Sequence, residues 1–410
     1  MSGYLLDWGS LLVRWLHIIT GIAWIGSSFY FVWLDDHLQP PERPDGDTGV
    51  AGELWAVHGG GFYRARKYRV APQFLPATLH WFYWEAYSTW LSGMGLLGLL
   101  YFLQADAYLI DPNVRALTPP VAVALAVGIL VGSWLLYDAL CRSRLGRSPV
   151  ALGVAVAILV AVLAWVVCAL FSGRGAFILF GAALGTIMVA NVFFVIIPGQ
   201  RELVRAQQQG REVDPAPGLR GKQRSVHNTY FTLPVLFVMI SNHYAMTYGS
   251  RNNWLVLLAM SVSGVCIRAW FVARHKPAGR VGFASLLPLG LGVLALLIVI
   301  VGLYPGNSLL ATGLPPLTAA QATTILDQRC VPCHSHSPTQ PGFNAPPNGI
   351  ELSSIAQVRA HLPDVQKQLA LRTMPLGNIT GMTDGERARL LQWLGAGAGA
   401  REEAAAHAHY

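Results

Sequence analysis

Residues 150–171 read VALGVAVAILVAVLAWVVCALF, a run without a single charged side chain. As an α-helix this run would be about 33 Å long, enough to cross the ~30 Å hydrocarbon layer of a membrane. Seven other apolar stretches have a comparable length, so the sequence predicts eight membrane-spanning helices. Their approximate bounds are 10–34, 78–103, 120–140, 150–171, 175–198, 228–248, 253–272 and 281–304.

Composition favours a membrane protein with a soluble attachment. Of the 410 residues, 53% are hydrophobic and 12% are charged, and this charged fraction is about half of that in soluble globular proteins. After Tyr304, a Pro/Gly-rich linker (305–317) leads into a segment with ordinary alternation of charged and apolar residues (318–400) and a tail expected to be disordered (401–410). We therefore predict an all-α fold, with a polytopic membrane helix bundle over 1–304 followed by a small helical domain.

Lysine and arginine counts predict the orientation of the bundle. The first, third, fifth and seventh loops carry 5, 3, 6 and 3 of these residues, 17 together, whereas the second, fourth and sixth carry one each, 3 together. Positive loops stay on the cytoplasmic side of a bacterial inner membrane, so both termini and the C-terminal domain are expected in the periplasm. No cleavable signal peptide is expected, because the first apolar run is too long for one. The net charge of +8 then reflects topology and contact with lipid, and calls for no nucleic-acid partner.

The segment RCVPCH (329–334) contains C-x-x-C-H, the attachment motif of a c-type haem. On a short helix, Cys330 and Cys333 face one way, so each sulfur can form a thioether with a haem vinyl group while His334 is presented to the iron. The preceding segment, LTAAQATTILDQR, resembles the first helix of small class I cytochromes c. A zinc site is a poor alternative, because no second Cys/His pair follows at a suitable spacing.

The second axial ligand of this haem is predicted to be Met374, which precedes a proline in LRTMPLGN. Met382 competes for this role, but it directly precedes Thr383, which forms a capping-box pattern with Glu386 at the start of the last helix. Met382 is therefore better explained as a residue that packs at a helix start. His336 is too close to His334 in the chain to reach the opposite face of the haem.

Ionisable and polar residues inside the predicted spans are costly in hydrocarbon and call for a partner or a role. They fall at two depths: an outer set of Arg14, His17, Asn242 and His243, and an inner set of His80, Glu85, Asn191, His227 and Arg268. Hydrogen bonding between helices is one explanation. A functional alternative makes His17 and His243 the axial ligands of a second, non-covalent haem, or of another metal, on the electron route to the periplasm.

Three long motifs carry a family resemblance: RWLHIITGIAWIGSSFYFVWLD (14–35), WFYWEAYSTWLSG (81–93) and HNTYFTLPVLFVMISNHY (227–244). They resemble the membrane domain of the bacterial cytochrome c-type urate oxidase family, in which an eight-span N-terminal domain is fused to a C-terminal cytochrome c. The resemblance covers essentially the whole chain, including the domain order. It implies oxidation of urate to 5-hydroxyisourate, with the electrons passed to the haem and on to a downstream cytochrome c or terminal oxidase, without hydrogen peroxide.

The chemistry of urate suggests which residues would bind it. Urate is a planar monoanion, so its site needs a cation, amides that read the ring edges, aromatic rings that stack and a base. The inner residues Glu85, Asn191, His227 and Arg268 provide such a catalytic set, with Arg268 as the expected cationic neighbour of Glu85. The outer set is also suitable and lies nearer the haem domain. Substrate made in the cytoplasm favours the inner position, whereas the distance for electron transfer favours the outer one.

Three other classes of protein fit parts of this pattern. A non-catalytic electron-relay anchor would not need two polar clusters in its membrane domain. A quinol-oxidising cytochrome would need a pocket open to lipid and would be reduced by quinol. A copper-handling membrane protein would be expected to carry Met- and Cys-rich outer segments, which this sequence lacks.

The second-haem hypothesis makes a spectroscopic prediction. If His17 and His243 hold a haem, a pyridine haemochrome assay on the wild-type protein is expected to show b-type as well as c-type haem. Changing either histidine to Ala should then remove the b-type signal alone. A wild-type spectrum with only c-type haem would rule out the membrane haem.

Overall fold

A computed structural model describes residues 2–41, 49–274, 286–303, 315–340 and 343–396. The predicted linker falls almost entirely outside these residues, and the predicted disordered tail falls wholly outside them. Within the described residues the chain is mostly helical, which confirms the all-α fold class.

The membrane-domain helices are α1 (Ser2–His37), α2 (Trp84–Leu97), α3 (Ala105–Tyr108), α4 (Pro119–Arg142), α5 (Pro149–Leu170), α6 (Gly173–Asn191), α7 (Ile197–Gln208), α8 (Ala216–Ser241), α9 (Ala245–Tyr248), α10 (Asn253–Ala273) and α11 (Leu287–Gly302). Two π-helical segments interrupt the regular pattern: Gly98–Phe102 follows α2, and Val192–Ile196 joins α6 to α7. Every predicted span overlaps one of the longer helices.

Among the described residues, five helices are long and apolar enough to cross a membrane: Tyr4–His37, Pro119–Arg142, Pro149–Leu170, Gly173–Gln208 and Asn253–Ala273. The helix Leu287–Gly302 is apolar but shorter. Apolar helices of this length are what a membrane protein requires, while the number of eight crossings stays a prediction.

The structure corrects two predicted span boundaries. The second span was expected from residue 78, but α2 begins at Trp84, because Tyr83 has a non-helical backbone (φ −136°, ψ −26°). The sixth span was expected to run to residue 248, but α8 ends at Ser241. The chain turns there, since the amides of His243 and Tyr244 bond to carbonyls only three residues back. His243 therefore lies beyond the helix.

A β-hairpin, which the sequence analysis did not predict, follows α1. Strands β1 (Val50–His58) and β2 (Gly61–Tyr68) pair antiparallel around a two-residue turn, Gly59–Gly60. Both glycines have positive φ (+56° and +81°), the backbone that a tight hairpin turn requires. The signal was present in the sequence as a Gly-Gly pair between two stretches that could form strands.

Helix α6 forms the centre of the bundle and packs against α4, α5 and α8. Its side chains Phe177, Phe180 and Leu184 are fully buried. Helix α1 lies at the periphery, packs mainly on α2 and leaves apolar side chains such as Ile22 (69% exposed) uncovered. Exposed apolar side chains on a long helix are expected where the surroundings are lipid.

The C-terminal domain consists of α12 (Ala319–Arg329), α13 (Ile355–Ala360), α14 (Leu362–Ala370) and α15 (Asp384–Gly395), around its own apolar core. The predicted capping box is present, since Thr383 and Glu386 cap α15 reciprocally. Burial raises the pKa of the Glu386 carboxyl, but hydrogen bonds from Thr383 and Arg329 outweigh it, so the pKa lies below its ordinary value. Arg329 also ties α12 to α15 through a 2.9 Å ion pair with Glu386.

The C-terminal domain docks on the bundle through the segment 371–382, here called the docking loop. A Cβ atom on Gly377 would lie 2.1 Å from the Ala107 carbonyl oxygen, and one on Gly249 would lie 2.1 Å from that of Leu371. Only glycine permits such close backbone contact. The C-terminal domain therefore lies against the second and sixth predicted loops, the side on which the charge count also places it.

Candidate functional site

Asn191 and His227 of the predicted inner set lie together with Tyr137 where α4, α6 and α8 meet. The Asn191 amide donates to the Tyr137 hydroxyl oxygen (3.3 Å), and Tyr137 is 2.7 Å from the His227 Nδ1. If the tyrosine hydroxyl donates to Nδ1, His227 carries its proton on Nε2. Asn191 and His227, which were predicted to act together, are thus connected through a tyrosine.

The same network continues to the residue after His227. The Asn228 side chain accepts from Asn191 (3.0 Å) and donates to the Met188 carbonyl (3.0 Å). Asn191 has no exposed surface, and its Oδ1 has no partner among the described residues. A buried acceptor without a donor is costly, so this oxygen is available to a ligand or a bound water.

An ion pair extends this inner cluster on α4 and α8. Arg224 donates to Asp138 (2.7 Å), and its guanidinium lies 5.0 Å from the centre of the Tyr137 ring. Arg224 is 3% exposed and its Nη1 has no partner among the described residues. The sequence analysis missed Tyr137, Asp138 and this role of Arg224. Asp138 was the available signal, because it is a charged residue inside a predicted span.

Glu85 and Arg268 lie outside this network, and they do not form the expected pair. Arg268 sits on α10 with its guanidinium 3.9 Å from the centre of the Phe29 ring, and no ion pair joins it to Glu85 in the described chain. One oxygen of Glu85 and two nitrogens of Arg268 are buried without partners among the described residues. The polar residues that follow Glu85 find partners within their own helix, since the hydroxyls of Ser88 and Thr89 donate to backbone carbonyls of α2.

The two histidines predicted to share a haem or metal have different surroundings. His17 on α1 contacts α2, where its Nδ1 is 3.0 Å from the Thr89 carbonyl and 3.1 Å from the Ser92 hydroxyl. A Cβ on Gly93 would approach the His17 ring to 3.0 Å, so the two helices pack closely at this point. His243 is exposed after the end of α8, and no hydrogen bond joins the two imidazoles. Their joint role stays a prediction.

A second polar cluster occupies the outer end of the bundle. Asn242 donates to the Tyr101 hydroxyl (3.1 Å) and accepts from Arg174 Nε (3.2 Å). The Arg174 guanidinium lies 4.8 Å from the centre of the Tyr108 ring. Asn242 belonged to the predicted outer set, whereas Arg174 had been counted only as a loop charge. Arg14, another member of that set, is exposed on α1.

The residues of the haem motif fit the group that they are predicted to hold. Cys330 and Cys333 follow α12 and form no disulfide, and the backbone amides of Cys333 and His334 bond to the Cys330 carbonyl. His334 Nδ1 is 2.9 Å from the Ile350 carbonyl. A histidine held through Nδ1 in this way has Nε2 free for a metal, as an axial haem ligand requires.

The two candidate methionines differ in their surroundings. Met382 is 1% exposed and belongs to the apolar core of the C-terminal domain with Leu326 and Leu390. Met374 is partly exposed, and its carbonyl accepts a 2.6 Å hydrogen bond from Arg387. The core thus accounts for the Met382 side chain, and Met374 stays the predicted ligand.

Fold and sites define a helical protein with membrane-length apolar helices, two polar clusters in its bundle and a separate helical domain with a haem-attachment motif. The family model described as urate oxidase N-terminal matches residues 3–302, most of the chain. The chain therefore belongs to this family, which identifies it as a urate-related oxidoreductase. No curated protein and no solved structure matches the chain.

The choice of axial ligand can be tested by two matched substitutions. Met374→Ala is expected to leave covalent haem attachment intact, abolish the weak sulfur–iron absorption band at the red end of the spectrum and lower the reduction potential. Met382→Ala should keep that band and instead destabilise the domain by about 2–5 kcal/mol, because it removes a buried core side chain. Absorption spectra and thermal unfolding distinguish the two, and loss of the band in Met382→Ala alone would reverse the assignment.

Proposed function

We propose that this protein is a membrane-bound urate oxidase that converts urate to 5-hydroxyisourate and passes the electrons to its own c-type haem, without making hydrogen peroxide. Urate and one water yield 5-hydroxyisourate, two electrons and two protons. A C–O bond forms between C5 of the ring and the water oxygen, while the electrons leave the ring. A downstream cytochrome c or terminal oxidase is the proposed final acceptor.

The observation that carries this proposal is the docking of the haem-motif domain on the family-matched domain. Asn113 of the second loop donates to the Met382 carbonyl (2.7 Å), and Asn378 donates to Asp111 (3.2 Å). The docking loop that contains Met374 is therefore held against the part of the chain that belongs to the urate oxidase family. Contact between the two domains is what the proposed transfer of electrons from substrate to haem within one chain would require.

The haem would be held by Cys330, Cys333, His334 and Met374. When bound, it supplies a one-electron acceptor whose potential depends on its axial ligands. The protein's contribution is orientation: the Ile350 carbonyl fixes the His334 ring, and Arg387 fixes the backbone at Met374.

Two positions are proposed for the substrate, the predicted inner set and the outer cluster. At the inner position, Asn191 and His227 share one network, while Glu85 and Arg268 lie outside it with buried polar atoms that have no partner among the described residues. The outer cluster around Asn242 and Arg174 provides a cation and an amide nearer the C-terminal domain.

We further propose that the chain lies in a bacterial inner membrane with eight spans and with both termini and the haem domain in the periplasm. The contacts of the C-terminal domain with the second and sixth loops support a shared side. A C-terminal reporter that is active only in the cytoplasm is expected to be silent, and one active only in the periplasm should give signal. Strong cytoplasmic activity would overturn this topology.

The proposed activity predicts a stoichiometry. Under anaerobic conditions, limiting urate added to the purified, oxidised protein is expected to reduce two haems per urate, because each urate loses two electrons. The measurement is the absorbance of ferrous haem during the titration, with xanthine as the control purine. Reduction by a quinol and not by urate would contradict the proposal and favour the quinol-oxidising alternative.

A further inference from the structure

A cavity of about 640 Å³ lies between the outer end of the bundle and the C-terminal domain. This interdomain cavity is lined by Tyr108, Arg174, Asn242, Tyr248 and Asn253 of the bundle and by Met374 of the docking loop, among others. Its volume is in the range of small-molecule sites, about 300–1,000 Å³. No residue of the inner cluster lines this cavity, so the cavity needs a separate explanation.

Charge makes the cavity favourable to anions. Of the described residues that line it, four are arginines and two are aspartates: Arg174, Arg251, Arg372, Arg387, Asp111 and Asp384. One aspartate is already paired, since Asp384 accepts from Arg372 (2.8 Å). The first residues of α6 also line the cavity, and the N-terminus of a long helix adds partial positive charge. A net excess of positive charge remains for a ligand.

Arg174 is oriented for binding. Its Nε donates to Asn242 (3.2 Å) and its guanidinium carbon lies 4.8 Å from the centre of the Tyr108 ring, whereas no described residue pairs with its two Nη nitrogens. An arginine held through Nε presents its remaining N–H groups as a rigid fork, which suits a carboxylate-like or urate-like anion.

The cavity also has the groups that a planar purine needs. Tyr108 and Tyr248 offer aromatic surfaces, and Asn242 and Asn253 offer amides that can pair with ring carbonyls and N–H groups. Tyr101, whose hydroxyl accepts a hydrogen bond from Asn242, lies in the π-helical segment Gly98–Phe102. Such segments occur mostly as single turns and are frequent at functional sites.

Distance separates this cavity from the inner cluster. Arg174 lies in the first turn of α6 and Asn191 ends this helix, so a rise of 1.5 Å per residue places them roughly 25 Å apart. Electron transfer through protein slows exponentially with distance. A substrate in the cavity would lie beside Met374, the predicted iron ligand, whereas one at the inner cluster would need a relay.

We propose that the interdomain cavity binds the substrate as a planar purine anion, with Arg174 as its cationic partner and Asn242 as the residue that positions Arg174. This inference rests on the proposed urate oxidation and specifies its binding site. The inner cluster then holds α4, α6 and α8 together.

Equilibrium binding tests this site without turnover. The purified full-length protein is first reduced with dithionite, so that it can bind urate but cannot oxidise it, and the dissociation constant for radiolabelled urate is measured by dialysis. Arg174→Gln is expected to raise the dissociation constant at least tenfold, and Arg174→Lys should recover part of the affinity because it restores the charge but not the fork. Arg115→Gln, an exposed arginine of the outer loops that does not line the cavity, is the matched control and should bind like wild type.

The outcomes separate the two proposals. An unchanged dissociation constant in Arg174→Gln, with wild-type haem spectrum and thermal unfolding, overturns the cavity as the site. The cavity is also overturned as the site if Asn191→Leu weakens urate binding tenfold while Arg174→Gln does not, since the inner cluster would then bind urate. If wild-type protein neither binds urate nor is reduced by it, the proposed function itself fails.

Discussion

Polar side chains buried between apolar helices must find their partners within the protein, because neither the apolar core nor lipid offers any. This constraint explains the arrangement of α4, α6 and α8. Tyr137, Asn191 and Asn228 are joined by hydrogen bonds across these three helices, and the buried Arg224 pairs with Asp138. Moving any of these helices would leave a buried donor, acceptor or charge unpaired. The network therefore determines the register of the bundle.

Helix α6 connects the two polar clusters. Its last residue belongs to the inner cluster, and its first turn forms part of the interdomain cavity. Both clusters also adjoin a π-helical segment: one directly follows Asn191, and the other contains Tyr101. The helix is closely packed along its length, since Phe177, Phe180 and Leu184 are fully buried, and the two clusters lie at its opposite ends.

The close approach of the two domains depends on backbone more than on side chains. Gly377 and Gly249 allow the docking loop to touch the outer loops at distances where any Cβ would collide. The interface also uses Asn113 and Asn378, whose amides bond across it. This contact brings the predicted iron ligand to the wall of the cavity. The arrangement gives a physical basis for the proposed link between urate oxidation and the haem that the C-terminal domain is predicted to bind.

The sequence by itself determined the features that depend on local pattern. Apolar length predicted the helices, the C-x-x-C-H spacing singled out Cys330 and Cys333, and Thr383 with Glu386 predicted the last helix start, because each signal involves residues near in the chain. Tertiary structure alone decided which distant polar residues meet. It joined Asn191 to Tyr137, left Glu85 without Arg268, and gave Arg174 a place in a cavity, since helix rotation and tilt follow from packing that hydropathy does not encode.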